Sequence, residues 1–129
     1  MARLKVLALD HIVLTVRDLE ATVDFYTRVL GMAVRAFEGG RLGLRFGSQK
    51  INLHEAGSEF QPHARRPEPG SGDLCLLVEG GLEEWLEHLE DQGVEVIEGP
   101  VARTGALGPM TSIYIRDPDG NLIELSSYT

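Results

Sequence analysis

The stretches H-I-V-L-T-V (His11–Val16) and D-L-C-L-L-V (Asp73–Val78) read as one strand written twice, 62 residues apart. In both copies a glycine follows the last valine by fifteen residues, Gly31 in the first and Gly93 in the second. A short strand-like stretch follows each glycine, M-A-V and V-E-V. Further on, I-N-L (Ile51–Leu53) matches I-E-L (Ile123–Leu125) at an offset of 72. Chance can supply any one of these matches; all of them in the same order point to a duplicated module. The extra residues of the second copy predict a longer loop, around 98–110.

Within each copy the pattern predicts β-α-β-β-β. The opening run, rich in Val, Ile and Leu, suits a strand. Asp18 is placed to cap the first helix, whose apolar residues Leu19, Val23, Tyr26 and Leu30 recur at helical spacing. Gly31 suits the left-handed residue that ends it. The second helix is predicted to start near Gly81, with Glu83 and Glu84 in its first turn, where the helix dipole favours carboxylates. Gly93 ends it. Three strands are predicted after each helix, at about 33–38, 41–47 and 50–55, then 94–98, 111–116 and 121–127. The turn D-P-D-G-N (Asp117–Asn121) joins the last two. The expected class is α+β, a single domain over 1–129. It consists of a first module at about 8–56, a Pro- and Gly-rich linker at 57–72 and a second module at about 73–128.

A chain of 129 residues, 43% hydrophobic and 25% charged, carries enough apolar material for one core. Its net charge of −8 argues against a nucleic-acid partner, which needs a basic patch. An anionic small molecule held by one or two local arginines remains compatible with it. The single cysteine, Cys75, rules out an internal disulfide and suits a reducing compartment. No run approaches the roughly 18–20 apolar residues that span a bilayer, and the first residues lack a signal peptide's apolar length. A cytoplasmic protein with no membrane partner is expected.

Strand side chains alternate between faces. Ile12, Leu14, Val16, Ile51, Leu53, Leu74, Leu76, Val78, Ile123 and Leu125 fall on one side, where helices can pack. The other side carries His11, Thr15, Asn52, His54, Asp73, Glu124 and Ser126. So many polar groups on a half-buried face need each other, water or a ligand. His11 and Asp73 are equivalent positions in the repeat, as are Asn52 and Glu124, so the four converge if the two sheets face each other. A His and two carboxylates around one point suit a divalent cation of the Mn²⁺, Fe²⁺, Ni²⁺, Zn²⁺ or Mg²⁺ kind. A hydrogen-bonded pocket without metal would use the same residues.

L-D-H-I-V-L-T-V-R-D (Leu9–Asp18), F-Y-T-R-V-L-G-M (Phe25–Met32) and D-P-D-G-N-L-I-E-L (Asp117–Leu125) resemble the vicinal oxygen chelate superfamily. It includes glyoxalase I, extradiol dioxygenases, fosfomycin-resistance enzymes and bleomycin-binding proteins. Within it, K-I-N-L-H-E (Lys50–Glu55), P-G-S-G-D-L-C-L (Pro69–Leu76) and R-T-G-A-L-G-P-M-T-S (Arg103–Ser112) are similar to the glyoxalase-domain-containing protein 5 group. Bacterial members of that group are labelled virulence proteins. The resemblance implies a glyoxalase-like fold, two tandem βαβββ modules forming a cupped mixed sheet around a metal, and commonly a homodimer. It implies ligands on the first and last strands of each module, here His11 and Glu124. At the other two corners this chain departs from the pattern. Asn52 stands where Glu is usual, and Asp73 stands where glyoxalase-like members and extradiol dioxygenases have His. His54, on the face of Asn52, offers an alternative set of His11, His54 and Glu124.

Four further residues are candidates for holding a small-molecule substrate. Arg45 alternates with Leu44 and Phe46 and would grip a carboxylate or phosphate bidentately if it points into the cup. A solvated arginine on an edge strand is the plain alternative. Tyr114 is either a donor in the cup or a packed core tyrosine. Arg103 and Thr104 open R-T-G-A-L-G-P-M (Arg103–Met110), a candidate lid or anion nest. Cys75 reads as a small hydrophobe. Glu124 or Asp73 would serve as base. The expected function is a divalent-metal-dependent, glyoxalase-like lyase or isomerase acting on a small substrate with vicinal oxygens. A protein that sequesters a drug or metabolite without turnover, and an extradiol-type dioxygenase, are the competing readings.

Overall fold

A computed structural model, describing residues 3–128, holds eight strands in two four-stranded sheets. β1 (His11–Val16), β2 (Ala33–Phe37), β3 (Arg41–Phe46) and β4 (Gln49–Glu55) make the first, in the order β1-β4-β3-β2. β5 (Asp73–Leu77), β6 (Glu98–Gly105), β7 (Gly108–Arg116) and β8 (Leu122–Tyr128) make the second, in the order β5-β8-β7-β6. In each sheet the first strand runs parallel to the last and the remaining pairs are antiparallel. The register repeats as well, since Val13 pairs with Asn52 and Cys75 with Glu124. Those pairs carry the two offsets visible in the sequence. The fold is α+β, built from tandem βαβββ modules.

Asp18 caps α1 (Leu19–Asp24), its Oδ1 accepting from the Ala21 amide at 3.1 Å. The helix does not continue in α form to Leu30. From Phe25 to Val29 it widens into a π-helical turn that buries Phe25, Tyr26 and Val29, and Gly31, at φ +71°, leads out of it. α2 (Leu82–Asp91) follows Gly81, and Gly93 leads out of it at φ +73°.

The second module corrects one expectation. Its second strand lies at Glu98–Gly105 rather than 94–98, and Arg103–Met110 is neither loop nor lid. β6 and β7 pair from Glu98↔Tyr114 to Gly105↔Gly108, leaving a turn of Ala106 and Leu107. The extra residues lengthen a hairpin. Gly105 and Gly108 suit a loop, yet glycines flanking a tight turn serve a hairpin equally well. A bulge between Glu98 and Val101 breaks the strand pattern at its start. Gly99 there has φ +110°, and a Cβ on it would meet the Ser112 carbonyl oxygen at 2.5 Å.

One core joins both modules. Leu14, Val16, Leu44, Ile51 and Leu53 from the first sheet cluster with Ile113, Ile115, Ile123 and Leu125 from the second and with Tyr26, Val29 and Leu89 from the helices. Each such side chain contributes about 1.5–3 kcal/mol when fully buried. His88 Nε2 donates to the Val29 carbonyl at 2.8 Å, and Arg28 Nη1 donates to Gln92 Oε1 at 2.6 Å, linking the helical segments. The D-P-D-G-N turn adds a polar clamp. Asp117 accepts from the Asp119 and Asn121 amides, from Asn121 Nδ2 and from Tyr26 Oη, while Asn121 Oδ1 accepts from the Gly72 amide. Because the apolar faces share this core, the opposite faces of both sheets are left open. His11, Val13, Arg45, Asp73, Cys75 and Leu77 are all exposed. Among the described residues no helix is long and apolar enough to cross a membrane.

Candidate functional site

Residues paired across neighbouring strands point to the same side of a sheet, so the registers define each open face. On the first sheet, His11 pairs with Lys50, Lys50 with Arg45, Asn52 with Gly43, Gly43 with Arg35, and Arg41 with Phe37. Arg35, Arg41, Arg45 and Lys50 therefore share one face with His11 and His54. No carboxylate on these four strands points to that side, in a chain whose net charge is −8. On the second sheet, Asp73, Glu124 and Glu98 share a face with Arg103 and Arg116. The two open faces differ in sign.

His11 Nδ1 donates to Asp10 Oδ2 at 2.8 Å. That bond fixes the tautomer and leaves the Nε2 lone pair free, the arrangement that orients metal-ligating histidines. The hydrogen bond from His11, and after it the His11 and Lys50 charges, hold the Asp10 carboxyl below its ordinary range. Glu124 is fixed from its own sheet. Ser112 Oγ donates to Glu124 Oε2 at 2.6 Å and lies 2.7 Å from Ser126 Oγ, which itself reaches Glu124 Oε2 at 3.3 Å. His11 and Asp73 line a common cavity of about 260 Å³ where β1 and β5 approach, together with Cys75. Asn52 Oδ1 is buried without a hydrogen-bond partner.

The structure does not bring His54 to this place. His54 pairs with Thr15 while His11 pairs with Lys50, a separation of four residues, roughly 13 Å at 3.3 Å per residue. It is 7% exposed, packs its ring edge-on against Phe60 at 5.5 Å and lines a cavity of about 250 Å³ roofed by the linker. Burial first, and the Arg41 charge next, push its pKa down, so the ring is neutral. Arg45 lies on β3, an inner strand of the sheet rather than an edge. Tyr114 is no packed core residue: it is half-buried beside Glu124, and its Oη accepts from Arg103 Nε at 2.9 Å. Arg103 also pairs with Glu98 at 3.0 Å. Thr104 falls on the side opposite Arg103, away from Glu124. The Cys75 thiol bonds Ser126 Oγ at 3.2 Å, and desolvation of the sulfur within an otherwise exposed residue pushes its pKa up, so it remains protonated.

Sequence reasoning passed over Asp10, Ser112, Arg35 and Lys50. Asp10 was signalled by its place beside His11, and Ser112 by its alternation with the core residues Ile113 and Ile115. Arg35 and Lys50 needed the β-register to be seen beside Arg45. Donor chemistry suits a divalent cation at two points, His11 and Glu124, each already oriented by a neighbour. Yet among the described residues of one chain, no three His, Cys, Asp or Glu side chains come close enough to share a cation. The donor chemistry of His11 and of Glu124 fits a divalent cation.

Residues 8–125 match the family described as the Glyoxalase/Bleomycin resistance protein/Dioxygenase superfamily. The chain is 57% identical over 126 residues to the glyoxalase domain-containing protein RDO1 of Mycosarcoma maydis, covering 98% of this chain and 71% of that protein. It superposes on the crystal structure of virulence protein STM3117 from Salmonella typhimurium with a TM-score of 0.96 and 48% identity, covering 98% of this chain and 100% of that one. At greater distance, it is 31% identical to a lactoylglutathione lyase of Pseudomonas aeruginosa, over 90% of this chain and 80% of that protein.

Proposed function

This chain belongs to the glyoxalase/bleomycin resistance/dioxygenase superfamily, and from that premise we propose that it is a divalent-metal-dependent lyase or isomerase of a small substrate with vicinal oxygens, its site completed by a second copy of the chain. The observation that carries the reading is the pair of pre-oriented donors, His11 held by Asp10 and Glu124 held by Ser112 and Ser126. The first sheet offers His11 and Asn52, and the second offers Asp73 and Glu124 at the equivalent register positions. Facing each other between two copies, these would supply an imidazole, an amide oxygen and two carboxylates. Asn52 Oδ1, buried and unpartnered, has an unused lone pair to contribute.

When bound, a divalent cation supplies Lewis-acid polarisation of two substrate oxygens. The chain's own groups do the rest. Asp10 holds the His11 ring, and the serine hydroxyls hold Glu124, which makes Glu124 the better ligand. Asp73, exposed at the start of β5, is the more loosely held of the two carboxylates and doubles as the base that takes a proton from substrate carbon. Tyr114, fixed by Arg103, is placed to donate to a substrate oxygen beside Glu124. The relative named a lactoylglutathione lyase supports chemistry of this class.

Metal analysis of protein purified without chelator tests the reading, with His11→Ala and Glu124→Ala alongside. Stoichiometric metal in the wild type, lost in both variants, is the expected result. No metal, and no uptake of Mn²⁺, Ni²⁺, Fe²⁺ or Zn²⁺ on reloading, would overturn it and leave sequestration of a small molecule as the function of the same faces.

A further inference from the structure

We infer that Arg35, Arg45 and Lys50 form an oxyanion subsite on the open face of the first sheet, taking a carboxylate or phosphate group of the substrate. The inference deepens the function proposed above and rests on it for the identity of the bound molecule as substrate. Lys50 and Arg45 are direct cross-strand partners, and Arg35 is the partner of Gly43 on the next strand. Like charges placed opposite each other in a sheet are destabilising, so this arrangement costs the fold unless an anion lies between them. Among the described residues none of the three is in an ion pair. The chain has 20 Asp and Glu against 12 Lys and Arg, so unpaired cations three together are not a consequence of composition.

The three surround a cavity of about 410 Å³, a size within the range of small-molecule sites. Its floor is Gly43, where a Cβ would stand 3.3 Å from Asn52 Oδ1 and 3.6 Å from the Lys50 side chain and the Phe37 ring. The Lys50 ammonium sits 4.1 Å from the centre of that ring, a cation–π contact that positions the charge without neutralising it. Asp10 is the one carboxylate lining the cavity among the described residues, and it is already engaged by His11. Ser48 and Gln49 add neutral hydrogen-bonding groups.

The subsite abuts the ligand half-site. His11 pairs with Lys50, and Asp10, Gln49 and Lys50 also line the cavity that holds His11 and Asp73. One to two strand spacings separate His11 from Lys50 and Arg45, roughly 5–10 Å. The substrate class that follows is a small acid whose anionic group lies that far from its reacting oxygens.

The test is calorimetric titration of the full chain with inorganic phosphate and, separately, with malonate, at a fixed ionic strength set by chloride. We expect one of the two to bind the wild type. Arg35→Gln, Arg45→Gln and Lys50→Gln should each weaken it by about tenfold or more, as loss of a charge-assisted contact does. Arg45→Lys, which keeps the charge and loses the fork, should fall between. Arg65→Gln, in the linker, should change nothing. Preference for phosphate assigns a phosphorylated substrate, and preference for malonate a carboxylic acid. His11→Ala should retain the anion while losing metal, so the subsite and the metal reading fail separately. Binding of neither anion at millimolar concentration, or equal weakening in Arg65→Gln, would overturn the inference. So would weakening that only accompanies dissociation of a dimer, which would make the three cations interface charges.

Discussion

Tyr26 Oη donates to Asp117 Oδ2 at 2.6 Å with both residues buried, so the helical segment of the first module is bonded to the last hairpin of the second. Burial first, and then the Asp117 carboxylate, push the phenol's pKa far above its ordinary value near 10. Its folded pKa is raised, so the unfolded chain loses the proton first as pH climbs. The stability the bond provides is therefore complete below about pH 10 and declines above it, by at most about 1.4 kcal/mol per pH unit for one proton. Tyr26→Phe should cost about 1.5–3 kcal/mol at pH 7, as loss of a hydrogen bond to a charged group does. That cost should shrink between pH 10 and 11. Urea midpoints of both proteins across pH 8–11 measure it; a constant difference would show that the phenol titrates normally.

His54 carries the opposite sign. Its folded pKa lies below the ordinary value near 6.5, with burial the main cause and Arg41 the next. The unfolded chain therefore takes up the proton first as pH falls. Stability from this residue is present above about pH 6.5 and lost below it. His54→Gln should flatten the dependence of Tm on pH between 5 and 7. Because His54 lies away from His11, the variant should keep its metal. Metal lost with His54→Gln, in a chain that remains folded, would instead favour a His11, His54 and Glu124 set.

Ser112 and Asp10 are expected to tune metal affinity through the residues they hold. Ser112→Ala leaves Glu124 with only the 3.3 Å contact from Ser126, and Asp10→Asn weakens the grip on His11 Nδ1. Loss of such an orienting partner typically lowers metal affinity 10–100-fold. Competitive titration against a chromophoric chelator, with Tm recorded alongside, separates this from unfolding. Unchanged affinity in both variants would mean that neither residue orients a ligand.

The fold was legible because the repeat wrote the same polar and apolar alternation twice, and alternation is all that a strand's two faces require. His11–Val16 and Ile123–Leu125 could be assigned to faces without coordinates for that reason. The π-helical turn at Phe25–Val29 was hidden because its apolar spacing also fits an α-helix. The β6–β7 hairpin was hidden because Gly105, Gly108 and Pro109 signal a loop as readily as a tight turn. At the site, His11, Asn52, Asp73 and Glu124 were visible one strand at a time. The basic row of Arg35, Arg45 and Lys50 appears only when three strands are set in register, and alternation along a single strand carries no information about its neighbours.

Whether the site is shared between chains has a direct consequence for mixtures. Val13 and Leu77 stand 45% and 61% exposed on the open faces, and Leu4, Val6, Leu7 and Leu9 of the preceding segment are exposed as well. Apolar side chains in those numbers suit a covered surface, and under the proposed function a second copy whose second sheet covers the first sheet would be the occupant that also completes the donor set. A two-fold dimer of this kind holds two equivalent sites, each with His11 and Asn52 from one copy and Asp73 and Glu124 from the other. His11→Ala alone then ruins both sites of its dimer, and so does Glu124→Ala. In a mixed dimer the two lesions fall together in one site and the other is intact. Mixing the two inactive variants under subunit exchange should therefore restore about one metal for every four chains, since half the dimers are mixed and each regains one of two sites. Metal content after exchange reads this directly, with sedimentation confirming the dimer. No recovery between variants shown to exchange would place His11 and Glu124 in the same site of a single chain.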